Sequence, residues 1–468
     1  MKIKQRTTCQ ACRTGKISCD GKSPACSQCL FRDLKCPGYP AGWVFVSHAP
    51  LNDPKVGVRG AVSRRGRGRL HTQRKEVPSV QVVTPVPLPA TPSLSDLVLT
   101  IIDNYVPEAD TFPSENSVEP SPRICGSWVE ILPDIIDSGM DKALASAIRA
   151  FAISILSRGR KRSFTISEGL EAYNHALISV NHALRSPYSD FPVAIAAAVM
   201  CLLLAEFFHA TSLGSWAAHL QGLADLMQLS RPGFYASGVP HRLFVGARPV
   251  LMVLAFSSRK SSFLAKEDWK SIPFRETPPS PVQSLMSEAA AIPSILERMD
   301  AEGDGAAEAT LSAFEAALDR LDAWADDFCS STPESSTMSW IQPSEDAERS
   351  SIWFQNITVA NALTHFWAFK VICLRNIDQL RTSSSRPDSN QITETAYFEE
   401  AKRLSVMICQ SVEYLMQDRM KLFGPQSVPM PLHTAYEAFE AGGSRSREEL
   451  SWCREILKDL KNRGYAFL

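Results

Sequence analysis

Six cysteines within the first 36 residues carry the clearest chemical signal in this chain of 468 residues. The first three and the last three are spaced identically, with two and then six residues between neighbours. These cysteines are Cys9, Cys12, Cys19, Cys26, Cys29 and Cys36. Zn²⁺ prefers four soft ligands in a tetrahedron, and a Cys-x2-Cys turn presents two thiolates to one ion. The spacing therefore predicts a metal centre.

The number of thiolates limits how the metal is held. Two separate tetrahedral zinc sites need eight ligands, so six thiolates hold two ions only if two sulfurs bridge both metals. A purely structural or metal-storing knot and a disulfide framework are the alternatives. The chain opens with MKIKQRTTCQ, which has a basic start and no apolar run behind it, so no signal peptide is predicted. Clustered cysteines in a reducing compartment favour metal over disulfides.

The basic residues of the chain are concentrated beside these cysteines. Residues 1–75 contain sixteen Lys and Arg against three Asp, a net charge of +13, whereas the whole chain carries −1. The remaining residues therefore form an acidic body. A basic head on an acidic body is typical of a protein whose head alone binds a polyanion.

The stretch from Cys9 to Cys29 resembles the binuclear zinc cluster of fungal Zn2Cys6 transcription factors. Three features carry the resemblance: Arg13 directly after the second cysteine, the pair Asp20-Gly21, and Pro24 two residues before the fourth cysteine. The resemblance implies a small N-terminal module that binds two Zn²⁺ ions per chain and double-stranded DNA.

The resemblance also implies roles for individual residues. The bridging cysteines of the family fall on Cys9 and Cys26, and its base-reading lysine falls on Lys16. A short helix would place Lys16 in the major groove, where it donates to guanine O6 and N7 of a GC-rich, CGG-type half-site. The residues expected to contact DNA are Arg13, Lys16, Lys22, Arg32 and Lys35. Of these, Lys22, Arg32 and Lys35 are expected on phosphates, which fix register without reading sequence.

Two positions depart from the family pattern. Gly15 and Ser18 replace residues that are usually Lys or Arg, which removes phosphate contacts. Many family members follow the cluster with a short coiled coil, but residues 41–95 contain no heptads. The oligomeric state is left open, and monomeric binding to one half-site is favoured.

A basic run follows the head and has three interpretations. It consists of Arg64, Arg65, Arg67 and Arg69. It is interpreted as a nuclear import signal, as an arm that contacts neighbouring phosphates, or as an inert spacer, and the first two roles are compatible. We predict that half-site binding depends on this run.

Composition divides the chain into three parts. Residues 1–40 form the zinc module, residues 41–95 form a basic and Pro-rich linker, and residues 96–468 form an all-α regulatory domain. Nine of the 31 prolines lie in residues 76–122, a density typical of extended linker. The acidic and apolar segment 94–119 is interpreted either as an activation region or, as we favour, as a first amphipathic helix followed by a loop.

Apolar residues at spacings of three and four predict the helices of the body. The predicted helices cover Met140–Ile155, Ile166–Leu184, residues 191–210, Trp353–Leu374 and Leu404–Leu415. Alternating β-branched runs are almost absent, so no sheet is predicted. The longest charge-free apolar run has 15 residues, short of the ~20 that span a bilayer, which predicts a buried helix and no membrane partner.

The body carries a second, looser resemblance. The segments Trp128–Pro133, Trp216–Gly222 with Arg231-Pro232, and Phe263-Leu264 with Trp269 follow the order of the fungal-specific transcription factor domain. In that family the domain is an all-α regulatory region rather than an enzyme. We expect each of these Trp and His side chains to pack in the core, whether or not the resemblance holds.

Other candidate sites in the body receive simple interpretations. His175 and His182 share a predicted helix with Glu171, and we interpret them as surface or packed histidines because further ligands at a recognisable spacing are missing. The remaining cysteines are interpreted as small buried apolar residues. They are Cys125, Cys201, Cys329, Cys373, Cys409 and Cys453.

The sequence thus predicts a nuclear, zinc-dependent, sequence-specific DNA-binding transcription regulator of RNA polymerase II genes. A role in the regulation of one pathway is an option within this prediction. Its partners would be DNA and the transcription machinery or coregulators. The alternative is a zinc-cluster protein that acts mainly as a corepressor through protein contacts. An enzyme has little support, because no catalytic motif is found, but a deep cleft with convergent polar groups in the body would favour one.

Overall fold

The computed structural model describes residues 92–107, 125–138, 141–158, 163–185, 192–209, 214–302, 307–330, 338–344, 349–384 and 396–465, together with Cys29 and Arg32. The chain divides into two units, Met1–Val58 and Arg59–Leu468. The helices and strands given below belong to the second unit, which we call the body.

The body is built almost entirely of α-helices. Its described helices are α1 (Leu94–Tyr105), α2 (Leu132–Ser138), α3 (Lys142–Leu156), α4 (Ile166–Leu184), α5 (Pro192–His209), α6 (Ser215–Gln228), α7 (Gly238–Ser258), α8 (Glu267–Ser271), α9 (Pro281–Ala289), α10 (Ile292–Glu302), α11 (Ala307–Ser330), α12 (Ile357–Ser384), α13 (Ala396–Leu415), α14 (Phe423–Ser427), α15 (Pro429–Gly442) and α16 (Arg447–Asn462). Short 3₁₀ helices cover Cys125–Ile131, Pro232–Tyr235, Phe263–Ala265, Ile272–Phe274, Asp418–Met420 and Gly443–Ser446.

Local signals determine where several helices begin. The Thr165 hydroxyl accepts from the Glu168 backbone N–H at 3.2 Å, and the Glu168 carboxylate accepts from the Thr165 N–H at 2.7 Å. This capping box confirms the predicted start of α4. Ser93 and Asp96 form the same motif before α1. The amphipathic helix expected within segment 94–119 is therefore confirmed, and it begins at Leu94, two residues before the expected domain boundary.

The core of the body forms around α5 and α12. Helix α5 is buried from Ala194 to Ala205, as its uniformly apolar sequence predicts, and it packs against α3 and α6. Helix α12 packs against α11, α13 and α15. These contacts place the long apolar helices inside the body and the amphipathic helices around them.

A small β-hairpin corrects the all-α prediction. Strands β1 (Ser339–Pro343) and β2 (Ser350–Phe354) pair antiparallel, with Trp340 opposite Trp353. The expectation that Trp353 opens the long helix is wrong, because Trp353 lies in β2 and α12 begins at Ile357. Tertiary contacts hold the hairpin: the Phe354 ring lies 5.2 Å from the Tyr414 ring on α13.

Two helices in the described part of the chain are long and apolar enough to cross a membrane, judged by length and composition alone. They are Gly238–Ser258 and Ile357–Thr382. In the structure, 56% and 78% of their apolar stretches are buried inside the body. Buried core helices of proteins without membrane spans can be equally long and apolar, so the two helices are weak support for a membrane protein. The absence of a membrane partner stays a prediction.

Candidate functional site

Cys29 and Arg32 are the residues of the predicted zinc and DNA site that fall within the described part of the chain. Cys29 is in helical conformation and only 1% exposed, whereas Arg32 is in a turn and exposed. A closed structural zinc site buries its thiolates, and a phosphate-contacting arginine must be accessible. The soft donor set of six cysteines and the burial of Cys29 therefore fit zinc.

The other predicted site residues lie outside the described residues. They are Cys9, Cys12, Cys19, Cys26 and Cys36 among the metal ligands, Arg13, Lys16, Lys22 and Lys35 among the DNA contacts, and Arg64, Arg65, Arg67 and Arg69 of the basic run.

The cysteines of the body are mostly buried, as predicted. Cys201, Cys373, Cys409 and Cys453 lie in the core. Burial raises the pKa of the Cys373 thiol to about 12, so this thiol stays protonated and unreactive at pH 7. Cys329 corrects the prediction, because it lies on the exposed side of the last turn of α11. The side chain of Cys125 is outside the described set.

The two histidines considered from the sequence do not form a site. His175 and His182 are both exposed on α4, as is Glu171. Within the described residues, no group of three or more His, Cys, Asp or Glu side chains is placed to hold a metal ion.

The helices of the body enclose a cavity of about 570 Å³, which we call the central cavity. Its walls come from α1, α5, α6, α7, α9, α12, α14 and α15 and from the 3₁₀ helix Cys125–Ile131. Most of the lining side chains are apolar, among them Trp128, Leu203 and Val250. A cavity of this size falls within the ~300–1,000 Å³ range of small-molecule sites. A deep cleft in the body is the feature that would favour a binding or catalytic role, so the polar groups on its wall need to be considered.

His365 on α12 supplies an unusual polar group to this wall. Its Nδ1 lies 2.8 Å from the carbonyl oxygen of Asn361. Because a carbonyl only accepts, Nδ1 carries the proton. Burial lowers the pKa of His365 to about 4, so the ring is neutral at pH 7 and Nε2 is an acceptor. Among the described residues, Nε2 has no hydrogen-bond partner.

Glu206 on α5 contributes a carboxyl group to the same cavity, and hydrogen bonds link this group to Tyr173 and His219. The Tyr173 hydroxyl donates to Glu206 Oε1 at 2.6 Å, and His219 Nε2 lies 2.7 Å from the same hydroxyl. Since the hydroxyl has one proton, it donates to Glu206 and accepts from His219. Burial lowers the pKa of His219 to about 4, although the Glu206 carboxyl opposes that shift.

Two amides on the wall have unused hydrogen-bonding capacity. Asn361 is 5% exposed, and its Oδ1 has no partner in the described part of the structure. Gln426 on α14 accepts from the Tyr105 hydroxyl at 2.7 Å, but its Nε2 is buried without a partner there. Most buried polar groups are hydrogen-bonded, so these two atoms are exceptions. Both are covered by protein atoms and do not face the cavity.

The polar groups of the wall do not form a catalytic pair. A nucleophile activated by His365 would need its hydroxyl or thiol within hydrogen-bond distance of Nε2. In the described residues no such contact exists. The geometry supports binding and gives no support to acyl or group transfer.

Close packing of aromatic rings shapes one wall of the cavity. A Cβ atom on Gly246 of α7 would lie 2.5 Å from Trp128 Cγ. A Cβ atom on Gly126 would lie 2.4 Å from the Phe423 ring. Glycine is therefore required at both positions for these two wall rings to occupy their places.

Sequence analysis missed the residues of the central cavity. His365 follows a run of small and apolar residues in α12, and a single histidine in an apolar helix was the available signal. Glu206 was the one charged residue near the end of the apolar segment 191–210. Neither signal shows that two positions 159 residues apart line the same space.

Comparison with known proteins identifies the N-terminal segment. Residues 7–41, which contain all six clustered cysteines, match the model of the fungal Zn(2)-Cys(6) binuclear cluster domain. A segment of 124 residues is 29% identical to the sorbicillinoid biosynthetic cluster transcription factor sor3 of Hypocrea jecorina (strain QM6a). This alignment covers 24% of the present chain and 16% of that relative. No solved structure matches the chain.

Proposed function

We propose that this chain, a zinc-binding and DNA-binding transcription regulator by its N-terminal domain, reads GC-rich, CGG-type half-sites through Lys16. The observation that carries the proposal is the match of residues 7–41 to the binuclear cluster domain, with six cysteines at two identical spacings. The sequence specificity and the role of each basic residue are inferred from the resemblance.

The proposed metal centre holds two Zn²⁺ ions with six thiolates. Cys9 and Cys26 would bridge both ions, and the other four cysteines would bind one ion each. Zinc in such a site is structural: it supplies the folding energy of a segment that is too short for an apolar core. The burial of Cys29 supports this role.

In the proposed DNA complex, Lys16 reads bases and other basic residues bind the backbone. Lys16 would donate to guanine O6 and N7 in the major groove. The phosphate contacts would come from Lys22, Arg32 and Lys35, and Arg13 would be a further DNA contact. The exposure of Arg32 is consistent with such a contact. With few phosphate contacts the head alone would bind weakly, so the basic run is proposed to add contacts as well as to direct nuclear import.

The body is proposed to be the regulatory part, of the fungal-specific transcription factor type, acting on the transcription machinery or coregulators in the nucleus. Its helical architecture supports this assignment. The relative is described as the transcription factor of a biosynthetic gene cluster. We therefore propose that the present chain also serves one set of functionally linked genes.

A mobility-shift titration tests the proposal. The full chain should retard a duplex with CGG triplets at lower concentration than a duplex of the same composition in scrambled order. A zinc chelator should abolish the difference. Chelator-sensitive folding without preference between the duplexes would instead favour the corepressor function, in which protein contacts dominate.

A further inference from the structure

The central cavity is a large pocket in the helical body that is partly open to solvent. The central cavity measures about 570 Å³ and is lined mainly by apolar side chains from eight α-helices and one 3₁₀ helix. Rings such as Trp128, seated against Gly246, hold its wall in place. A space of this kind, bounded by well-packed walls, is typical of a site for a small molecule.

The charges on the wall disfavour an anionic ligand. Among the described residues that line the cavity there is no Lys or Arg, so a phosphate or carboxylate ligand would have no counter-charge. The carboxyl of the wall belongs to Glu206, which already accepts from Tyr173. A cationic ligand would pair with Glu206 and would not need His365. The lining therefore disfavours anions, and the apolar majority of its side chains suits an uncharged molecule.

The polar atoms of the wall specify what an uncharged ligand must carry. His365 Nε2 accepts and cannot donate, because Nδ1 holds the proton and donates to the Asn361 carbonyl at 2.8 Å. A ligand hydroxyl is the complementary group. The apolar surface around His365 suits a ring or hydrocarbon frame.

We propose that the central cavity binds an uncharged, largely apolar small molecule whose hydroxyl group donates a hydrogen bond to Nε2 of His365. The bound molecule acts as an effector of DNA binding, and this second statement rests on the proposed function. The binding itself does not depend on it.

Calorimetric titration of the full chain with 2-naphthol and with naphthalene tests the binding. The two probes share an apolar frame and differ by one hydroxyl. The native chain should bind one molecule of 2-naphthol, with an affinity about three- to tenfold above that for naphthalene, as one neutral hydrogen bond provides. Absence of saturable binding, or equal affinity for the two probes, would overturn the proposal without any variant being needed.

Variants then locate the site. His365→Leu should abolish the preference for 2-naphthol while naphthalene still binds. His175→Leu, at an exposed position on α4, is the matched control and should keep the preference. Val250→Trp should fill the cavity and remove binding of both probes. A preference that survives in folded His365→Leu would assign the hydroxyl to another site and contradict the proposal.

A mobility-shift titration with and without 2-naphthol separates the effector role from the proposed function. An affinity for CGG duplexes that changes with 2-naphthol in the native chain, but not in Val250→Trp, supports the effector role. Unchanged affinity in a chain that binds 2-naphthol would refute the effector role alone. Binding of 2-naphthol by a chain with no sequence-specific DNA binding would refute the proposed function and leave the ligand site standing.

Discussion

Nδ1 of His365 lies 2.8 Å from the carbonyl oxygen of Asn361, one turn earlier in α12. This single contact fixes the proton on Nδ1 and leaves Nε2 as a hydrogen-bond acceptor on the wall of the central cavity. The ring is half-buried, and this environment disfavours its charged form, which has consequences for stability as well as for ligand binding.

We expect the body to lose stability as the pH falls from 6.5 towards 4. Burial lowers the pKa of His365 and of His219 to about 4, below the ordinary value of 6.5. In this interval the unfolded chain binds more protons than the folded chain, so the free energy of unfolding decreases as the pH decreases. Each ring contributes at most roughly 3 kcal/mol to this change.

Chemical denaturation of native chain and His365→Leu between pH 7 and pH 5 measures the effect. The free energy of unfolding of the variant should decrease less with falling pH, because only His219 then remains of the two histidines with a lowered pKa. His433 shifts in the opposite direction, because its bond to Glu437 raises its pKa, so the difference between the two proteins is the informative quantity. Identical pH profiles would contradict the assignment of His365 as a ring that the fold keeps neutral.

Gly246→Ala should destabilise the body, because the new Cβ would meet Trp128 atoms at 2.5–2.6 Å and force that ring to move. Overpacking of this kind typically costs about 1–3 kcal/mol. Gly222→Ala in α6 is the matched control, since a Cβ there meets nothing within 4 Å and alanine favours helix by about 1 kcal/mol. In thermal denaturation the melting temperature should fall for Gly246→Ala and rise for Gly222→Ala. Equal changes in the two variants would argue against the packing of Trp128.

Gln283→Ala should cost roughly 2–4 kcal/mol of unfolding free energy. Pro249 has no N–H for the Val245 carbonyl, and Gln283 Nε2 donates to that carbonyl at 3.0 Å instead. Gln283 Oε1 also accepts from buried Arg248 at 3.1 Å. The double variant Gln283→Ala/Pro249→Ala should recover part of the lost unfolding free energy, because the restored backbone N–H at position 249 donates to the Val245 carbonyl.

The exposed Gln221 provides the comparison for Gln283. It donates to Asp225 on the surface of α6 at 3.1 Å. Gln221→Ala should change the unfolding free energy by less than about 0.5 kcal/mol. A Gln283→Ala variant as stable as Gln221→Ala would show that the Val245 carbonyl does not need this donor.

The features that were predictable from the sequence are those encoded within a few residues. Glu168 follows Thr165 by three positions, so the start of α4 is visible in the sequence, and the cysteine spacings are visible in the same way. The hairpin is different: Trp353 fits a helical spacing with Ile357, and contacts with α13, some sixty residues later, place it in a strand. The central cavity depends on pairs still farther apart, so a one-dimensional pattern contains no sign of it.

Cys9→Ala should remove more zinc than Cys36→Ala. In the proposed cluster Cys9 binds both ions and Cys36 binds one, so loss of Cys9 opens both tetrahedra. Elemental analysis of the purified full chain should give two zinc ions for the native protein, with the larger decrease for Cys9→Ala. One ion in the native chain would contradict the shared-sulfur cluster, and equal losses in the two variants would contradict Cys9 as a bridging ligand.

Selection of bound sequences from a random duplex library by the full chain tests the central claim most directly. The native chain should recover a GC-rich motif with a CGG-type triplet. Lys16→Ala should lose about 1–3 kcal/mol of binding free energy on that motif and should relax the base preference there. Lys35→Ala should instead weaken the binding to all sequences by the same factor. Recovery of no motif, of a motif without such a triplet, or of an unchanged motif by Lys16→Ala would contradict the account.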